Sequence, residues 1–106
     1  MEAKQIAETI LIQLGGRRFM VMTGAKDFTF DADGTLRFRI GRNPKGVNRV
    51  AITLDPSDTY SIRFERARLN RKALRYDVKV IASHSDIYCD QLREVFESET
   101  GLYTSL

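Results

Sequence analysis

Cysteine and histidine are almost missing from this chain: Cys89 and His84 each stand alone. A lone cysteine closes no intrachain disulfide. Without a second Cys/His cluster, the chain also lacks the ligands of a structural zinc site and the CxxC pair of a redox motif. Neither a metal nor another cofactor is expected, and a reducing, cytoplasmic setting fits best. Long apolar runs are lacking too. Ile10-Leu11-Ile12 falls far short of the ~20 residues a membrane-spanning helix needs. The opening Met1-Glu2-Ala3-Lys4-Gln5 has neither the basic start nor the apolar stretch of a secretory signal. The expectation is no secretion and no membrane partner. No repeat, low-complexity tract or Pro/Ser linker divides the 106 residues, so the chain is read as one domain, 1–106. Its 42% hydrophobic content can build one core without a covalent staple.

Charge is present in both signs but segregated. Residues 34–85 hold 12 Lys/Arg against 4 Asp/Glu, whereas residues 86–106 hold Arg93 against Asp86, Asp90, Glu94, Glu97 and Glu99. The net charge of +3 hides a basic middle and an acidic end.

Ala3, Ile6, Ala7, Ile10, Leu11 and Leu14 recur at offsets of three and four, the spacing of one helix face. Gly15-Gly16 can supply the left-handed cap that ends that helix. Arg17 to Thr23, rich in Phe, Met and Val, reads as a buried strand. From Phe28 to Ile81 the period becomes two. Phe28 and Phe30 precede the turn Asp31-Ala32-Asp33-Gly34, and then Leu36/Phe38/Ile40, Val50/Ile52/Leu54, Tyr60/Ile62/Phe64 and Tyr76/Val78/Val80 form successive inward sets. Asp55-Pro56-Ser57-Asp58 reads as a turn, and Arg66 to Lys72 as a basic loop. A second helix is expected from near Ser83, capped with Asp86 three residues on, carrying Tyr88, Leu92, Val95 and Phe96 and ending at Gly101. The tail from Leu102 to Leu106 is expected to dock on the core.

The fold expected is α+β: one antiparallel sheet of five to six strands, flanked by an N-terminal and a C-terminal helix that cover one face. The uncovered face should then be basic, since Arg37, Arg39, Arg49, Arg63, Arg75 and Lys79 lie opposite the inward residues. Arginines two apart on neighbouring strands can present planar donors to phosphates. Arg68, Arg71 and Lys72 in the basic loop join them as candidate nucleic-acid contacts. The pI near 9.2 agrees with such a footprint. The bland alternative is a sheet kept soluble by alternating charge, with Glu65 and Asp77 pairing some of the arginines. No aromatic residue is expected on the open face, which disfavours a base-stacking reader.

No catalytic residue is assigned. His84, Asp86 and Cys89 lie close together in sequence, but a single His and Cys make no triad without supporting geometry. Thr23-Gly24-Ala25-Lys26 lacks the Walker spacing, and Gly15-Gly16 lacks that of a dinucleotide fold.

The segments Glu8-Thr9 through Leu14-Gly15-Gly16, Phe19 to Met22 followed by Thr23-Gly24-Ala25-Lys26, Val50 to Leu54 with Asp58-Thr59-Tyr60, and Asp90-Gln91-Leu92-Arg93 through Phe96-Glu97 to Thr100-Gly101-Leu102-Tyr103-Thr104-Ser105-Leu106 together resemble a family of small phage and prophage proteins. The resemblance spans most of the chain and implies a bacterial cytoplasm and an accessory role in a mobile element. It carries over no catalytic residue. The segment Arg66 to Lys72 is longer and more basic than that family's pattern. The function expected is non-enzymatic: a domain binding nucleic acid or another polyanion through a basic sheet face. The alternative is a protein-interaction module whose partner is an acidic protein or a second copy of itself, with Leu102, Tyr103 and Leu106 helping to bury the contact.

Overall fold

A computed structural model describes residues 2–104. Two helices, α1 (Ala3–Leu14) and α2 (Gly16–Thr23), precede five strands: β1 (Lys26–Phe30), β2 (Leu36–Arg39), β3 (Arg49–Leu54), β4 (Tyr60–Asn70) and β5 (Arg75–Ile87). A 3-10 turn at Cys89–Gln91 then leads into α3 (Leu92–Thr100). The strands form one antiparallel meander in sequence order, β1-β2-β3-β4-β5. This is the expected α+β class, with one helix more than expected.

Cross-strand rows show how alternation builds the core. Leu36, Ile52 and Ile62 stand side by side across β2, β3 and β4, and Phe38, Val50 and Phe64 form the next row. All six are at most 3% exposed. They meet Ala7, Ile10 and Leu14 of α1, Phe19 of α2, and Leu92 and Phe96 of α3 in one cluster, so all three helices lie on the same face of the sheet. Phe19 is the hinge of this packing, edge-on to Phe38 at 5.7 Å and to Phe96 at 5.1 Å between ring centroids.

Three expectations are corrected. Residues 16–23 form a helix, not a strand. Gly15, at φ 127°, ends α1 and lets the chain fold straight back into α2, where Phe19 and Thr23 fall four apart on the buried face. The Thr23 hydroxyl donates to the Phe19 carbonyl at 2.7 Å, and Val21, on the other side, is exposed. The basic loop is also absent. Arg66 to Asn70 continue β4, and only Arg71 to Leu74 turn. Finally, the C-terminal helix begins at Leu92 rather than Ser83. Pairing with β4 carries β5 through Ser83 and His84 to Ile87, and Tyr88 is left exposed. Its end at Gly101 (φ 76°) is where the pattern placed it.

A displacement inside β5 changes which side chains face which way. Ala82 is opposite Phe64, but Val80 is opposite Glu65, so Ile81 is the extra residue of a β-bulge. Because the side-chain period is two, one extra residue moves everything before it to the other face. Tyr76, Val78 and Val80 were expected inward. Paired instead with Leu69, Ala67 and Glu65, they lie on the uncovered face, 63%, 46% and 50% exposed. The tail docks in part: Leu102 packs against the core and Thr104 is fully buried, its N–H donating to Glu97, whereas Tyr103 is exposed. Leu106 lies outside the described residues.

Candidate nucleic-acid interface

The uncovered face over β1 to β4 carries the expected arginines in two rows. Arg37, Ala51 and Arg63 form one row, and Arg39, Arg49 and Glu65 the other. These cations are not free. Arg37 lies 3.0 Å from Asp31, Arg39 3.5 Å from Asp27, and Arg63 2.9 Å from Glu65. Glu65 is 7% exposed, so its carboxylate is held in the sheet surface directly across from Arg49. Of the four arginines, Arg49 makes no ion pair among the described residues. Paired carboxylates therefore offset most of the positive charge on this face. The sequence hid this because Asp27 and Asp31 come from β1 and its turn and meet β2 only through strand pairing.

Arg75 and Lys79 are not on that face. The bulge at Ile81 places them opposite Asn70 and Arg66, on the helix side of the sheet and beyond the helices. There they join a different structure. The ladder between β3 and β4 ends at Arg49 and Glu65, with a last attachment from Asn48, whose side chain donates to the Ala67 carbonyl and accepts the Ala67 N–H, both at 2.8 Å. Past that clasp β4 and β5 pair only with each other and run on as a two-stranded ribbon, and residues 71–80 are all exposed.

The ribbon concentrates charge of one sign. Arg66, Arg68, Arg71, Lys72, Arg75 and Lys79 share residues 66–79 with a single carboxylate, Asp77. Arg66 is tied at the base, its Nε donating to the Gly46 carbonyl at 3.0 Å. Asp77 is engaged locally, accepting from Asn70 Nδ2 at 3.1 Å with Arg75 Nε at 3.5 Å. Asn70 also accepts the Ala73 N–H, which closes the turn. Arg68, Arg71, Lys72 and Lys79 have no ion pair among the described residues. The ribbon thus has two unlike sides: Arg66, Arg68, Arg75 and Lys79 on one, and Ala67, Leu69, Tyr76 and Val78 on the other.

At its base the apolar side opens into a hollow of about 370 Å³ where Tyr76 and Ala67 border Arg37, Arg39 and Arg49. Tyr76 corrects the expectation that no aromatic residue reaches the open face. No local signal could have found it, because Tyr76, Val78, Val80, Ala82 and His84 keep one unbroken alternation and the displacement at Ile81 is set by pairing with β4.

The other candidate cluster disperses. His84 Nε2 lies 3.1 Å from Glu99 Oε1 on α3 and shares a hollow with Glu94 and Val95, lined by neither Asp86 nor Cys89. Cys89 is exposed at the start of the 3-10 turn. Among the described residues no group of three or more His, Cys, Asp or Glu could hold a metal ion, and no helix is long and apolar enough to cross a membrane. Burial is the first cause pushing the Tyr60 phenol up, and the nearby Cys89 adds to it. No family model, curated protein or solved structure matches the chain.

Proposed function

We propose that this protein is a non-enzymatic nucleic-acid-binding domain whose contact element is the β4–β5 ribbon rather than the sheet face. The observation that carries this reading is the segregation of six cations against one carboxylate on a projecting two-stranded ribbon. A two-stranded ribbon fits the major groove of a duplex, and cations without ion partners can replace condensed counterions on phosphates. Arg68, Arg71, Lys72 and Lys79, which have no ion pair among the described residues, are the proposed phosphate contacts, with Arg75, 3.5 Å from Asp77, in a lesser part. Arg37, Arg39 and Arg63, already neutralised, take a minor part. The hollow beside Tyr76 supports a further contact, in which Arg49 holds a phosphate while an unpaired base stacks on the ring. In the mobile-element setting that the resemblance implies, such a domain is an accessory to DNA or RNA transactions in a bacterial cytoplasm.

Fluorescence polarisation of labelled single- and double-stranded DNA and RNA across a salt series tests the reading. The expected result is affinity that falls log-linearly with salt, with about one unit of slope lost for each phosphate contact removed. An Arg68/Arg71/Lys72/Arg75 quadruple alanine variant should abolish binding, and an Arg37/Arg63 double variant should leave most of it. No binding at low salt overturns the proposal. Loss confined to the Arg37/Arg63 variant would return the contact surface to the sheet face.

A further inference from the structure

The two edges of the sheet differ. β1 is short, kinked at Asp27 (φ 57°), and its ladder with β2 is irregular between Lys26 and Thr29, features that blunt an edge. β5 is the longest strand and its outer backbone edge has no neighbouring strand among the described residues. A long edge flanked by exposed apolar side chains is a template for strand addition.

From this edge we infer that the protein forms a two-fold dimer in which β5 pairs antiparallel with β5 of a second copy, centred on Val78. Three observations select a second copy as occupant. The first is symmetry of the regular stretch. It is bounded by the turn residue Leu74 (φ 54°) on one side and by the bulged Ile81 before Ala82 on the other. A two-fold axis at Val78 places Leu74 of one copy opposite Ala82 of the other, so the turn and the bulge fall together at the ends of the new ladder.

The second observation is charge. In this register Asp77 of each copy stands opposite Lys79 of the other, giving two oppositely charged pairs. Centring the axis on Asp77 or on Lys79, the neighbouring registers that keep each face matched, sets like charges directly opposite. Lys79, which alone would guard this edge against pairing, is therefore matched by Asp77 two residues away. The third is the uncovered face: the same register pairs Tyr76 with Val80 and Val78 with Val78, the aromatic and β-branched cross-strand combinations that stabilise sheets. These side chains are now half or more exposed or close to it, at 63%, 50% and 46%. The interface is isologous and joins two five-stranded sheets into one. It uses the backbone edge and leaves Arg68, Arg71 and Lys72 outside the contact, but it takes up Lys79 and Tyr76, which the nucleic-acid reading also uses, so association is read without nucleic acid.

Sedimentation velocity over a concentration series, without nucleic acid, tests it on four samples. Wild type should sediment as a dimer. Asp77→Lys alone sets Lys against Lys and Lys79→Asp alone sets Asp against Asp, so each should weaken association on the order of tenfold or more. An equimolar mixture of the two variants regains opposite charges at both pairs and should restore the dimer. Circular dichroism and the recovery on mixing both show that the single variants are folded. A wild type that stays monomeric, or single variants that dimerise as well as the mixture, overturns the proposal. A monomer that still binds nucleic acid would remove the dimer and keep the ribbon reading.

Discussion

The body of the sheet and the ribbon that leaves it are made from the same two strands, yet they solve opposite problems. In the body, Ile62 and Phe64 of β4 are essentially buried under the helices, between β3 on one side and Ala82 and His84 of β5 on the other. A few residues on, β4 and β5 have neither a third strand nor a helix over them, and the residues of β5 up to Val80 are exposed. Two-stranded ribbons have little independent stability, so the ribbon must draw its order from the body through the Asn48 clasp and the Arg66–Gly46 contact. Alternation alone does not distinguish a strand that buries one face from one that exposes both.

That contrast sets the scale of the effects expected on substitution. Truncating the body should cost most: Phe64→Ala removes a fully buried ring between Phe96 and the β-strand rows and should destabilise by about 3–5 kcal/mol in denaturant unfolding. Gly46→Ala attacks the joint between body and ribbon. Gly46 has φ +72°, and a Cβ there would run into the Arg66 guanidinium, so a loss of ~1–3 kcal/mol is expected together with release of Arg66 from the Gly46 carbonyl. Amide hydrogen exchange should then rise in the ribbon more than in the body.

Within the ribbon the expected stability change drops below about 0.5 kcal/mol for Arg68→Ala or Lys72→Ala, since neither side chain has an ion partner to lose among the described residues. Their effect should be read in nucleic-acid binding instead. A thermal shift comparable to that of Phe64→Ala would erase the distinction between the two regions.

The smallest effect is expected in the β1–β2 turn. The Thr35 N–H bonds Asp33 at 3.1 Å and, with the Thr35 hydroxyl, holds its carboxyl below the ordinary value of 3.8. The folded pKa is depressed, so the contribution is present above that ordinary value and fades as pH falls through the folded one. Asp33→Asn should differ slightly from wild type near neutral pH and converge with it in acid.

Elements with one face wholly buried were legible from the sequence. α1, with Ala7, Ile10 and Leu14, and strands β2 to β4 show their period plainly because every inward position meets the core. α2 was misread because Phe19, Met20, Val21 and Met22 are contiguous and apolar, and the exposure of Val21 is set by the tertiary fold. The start of α3 was misread because Ser83 and Asp86 imitate a helix cap, while long-range pairing with Arg63 and Ile62 holds that stretch in a strand. Of the candidate contacts, Arg37, Arg39, Arg49 and Arg63 were placed correctly by parity. Arg75 and Lys79 were placed on the wrong side because nothing local in Val80-Ile81-Ala82 announces an unpaired residue.

One step of pairing separates the two possible faces of this ribbon. With Ile81 taken into the ladder opposite Glu65, strand parity would run unbroken from Ala82 to Tyr76, turning Tyr76, Val78 and Val80 toward the helix side and Arg75, Asp77 and Lys79 toward open solvent on the other. A slip of β5 by a single residue along β4 would thus exchange the chemistry a partner meets without touching the helices or the core. Deleting Ile81, by contrast, leaves Val80 opposite Glu65 and should keep both faces as they are, so the unpaired residue is a store of slack that a one-residue deletion in this strand can draw on.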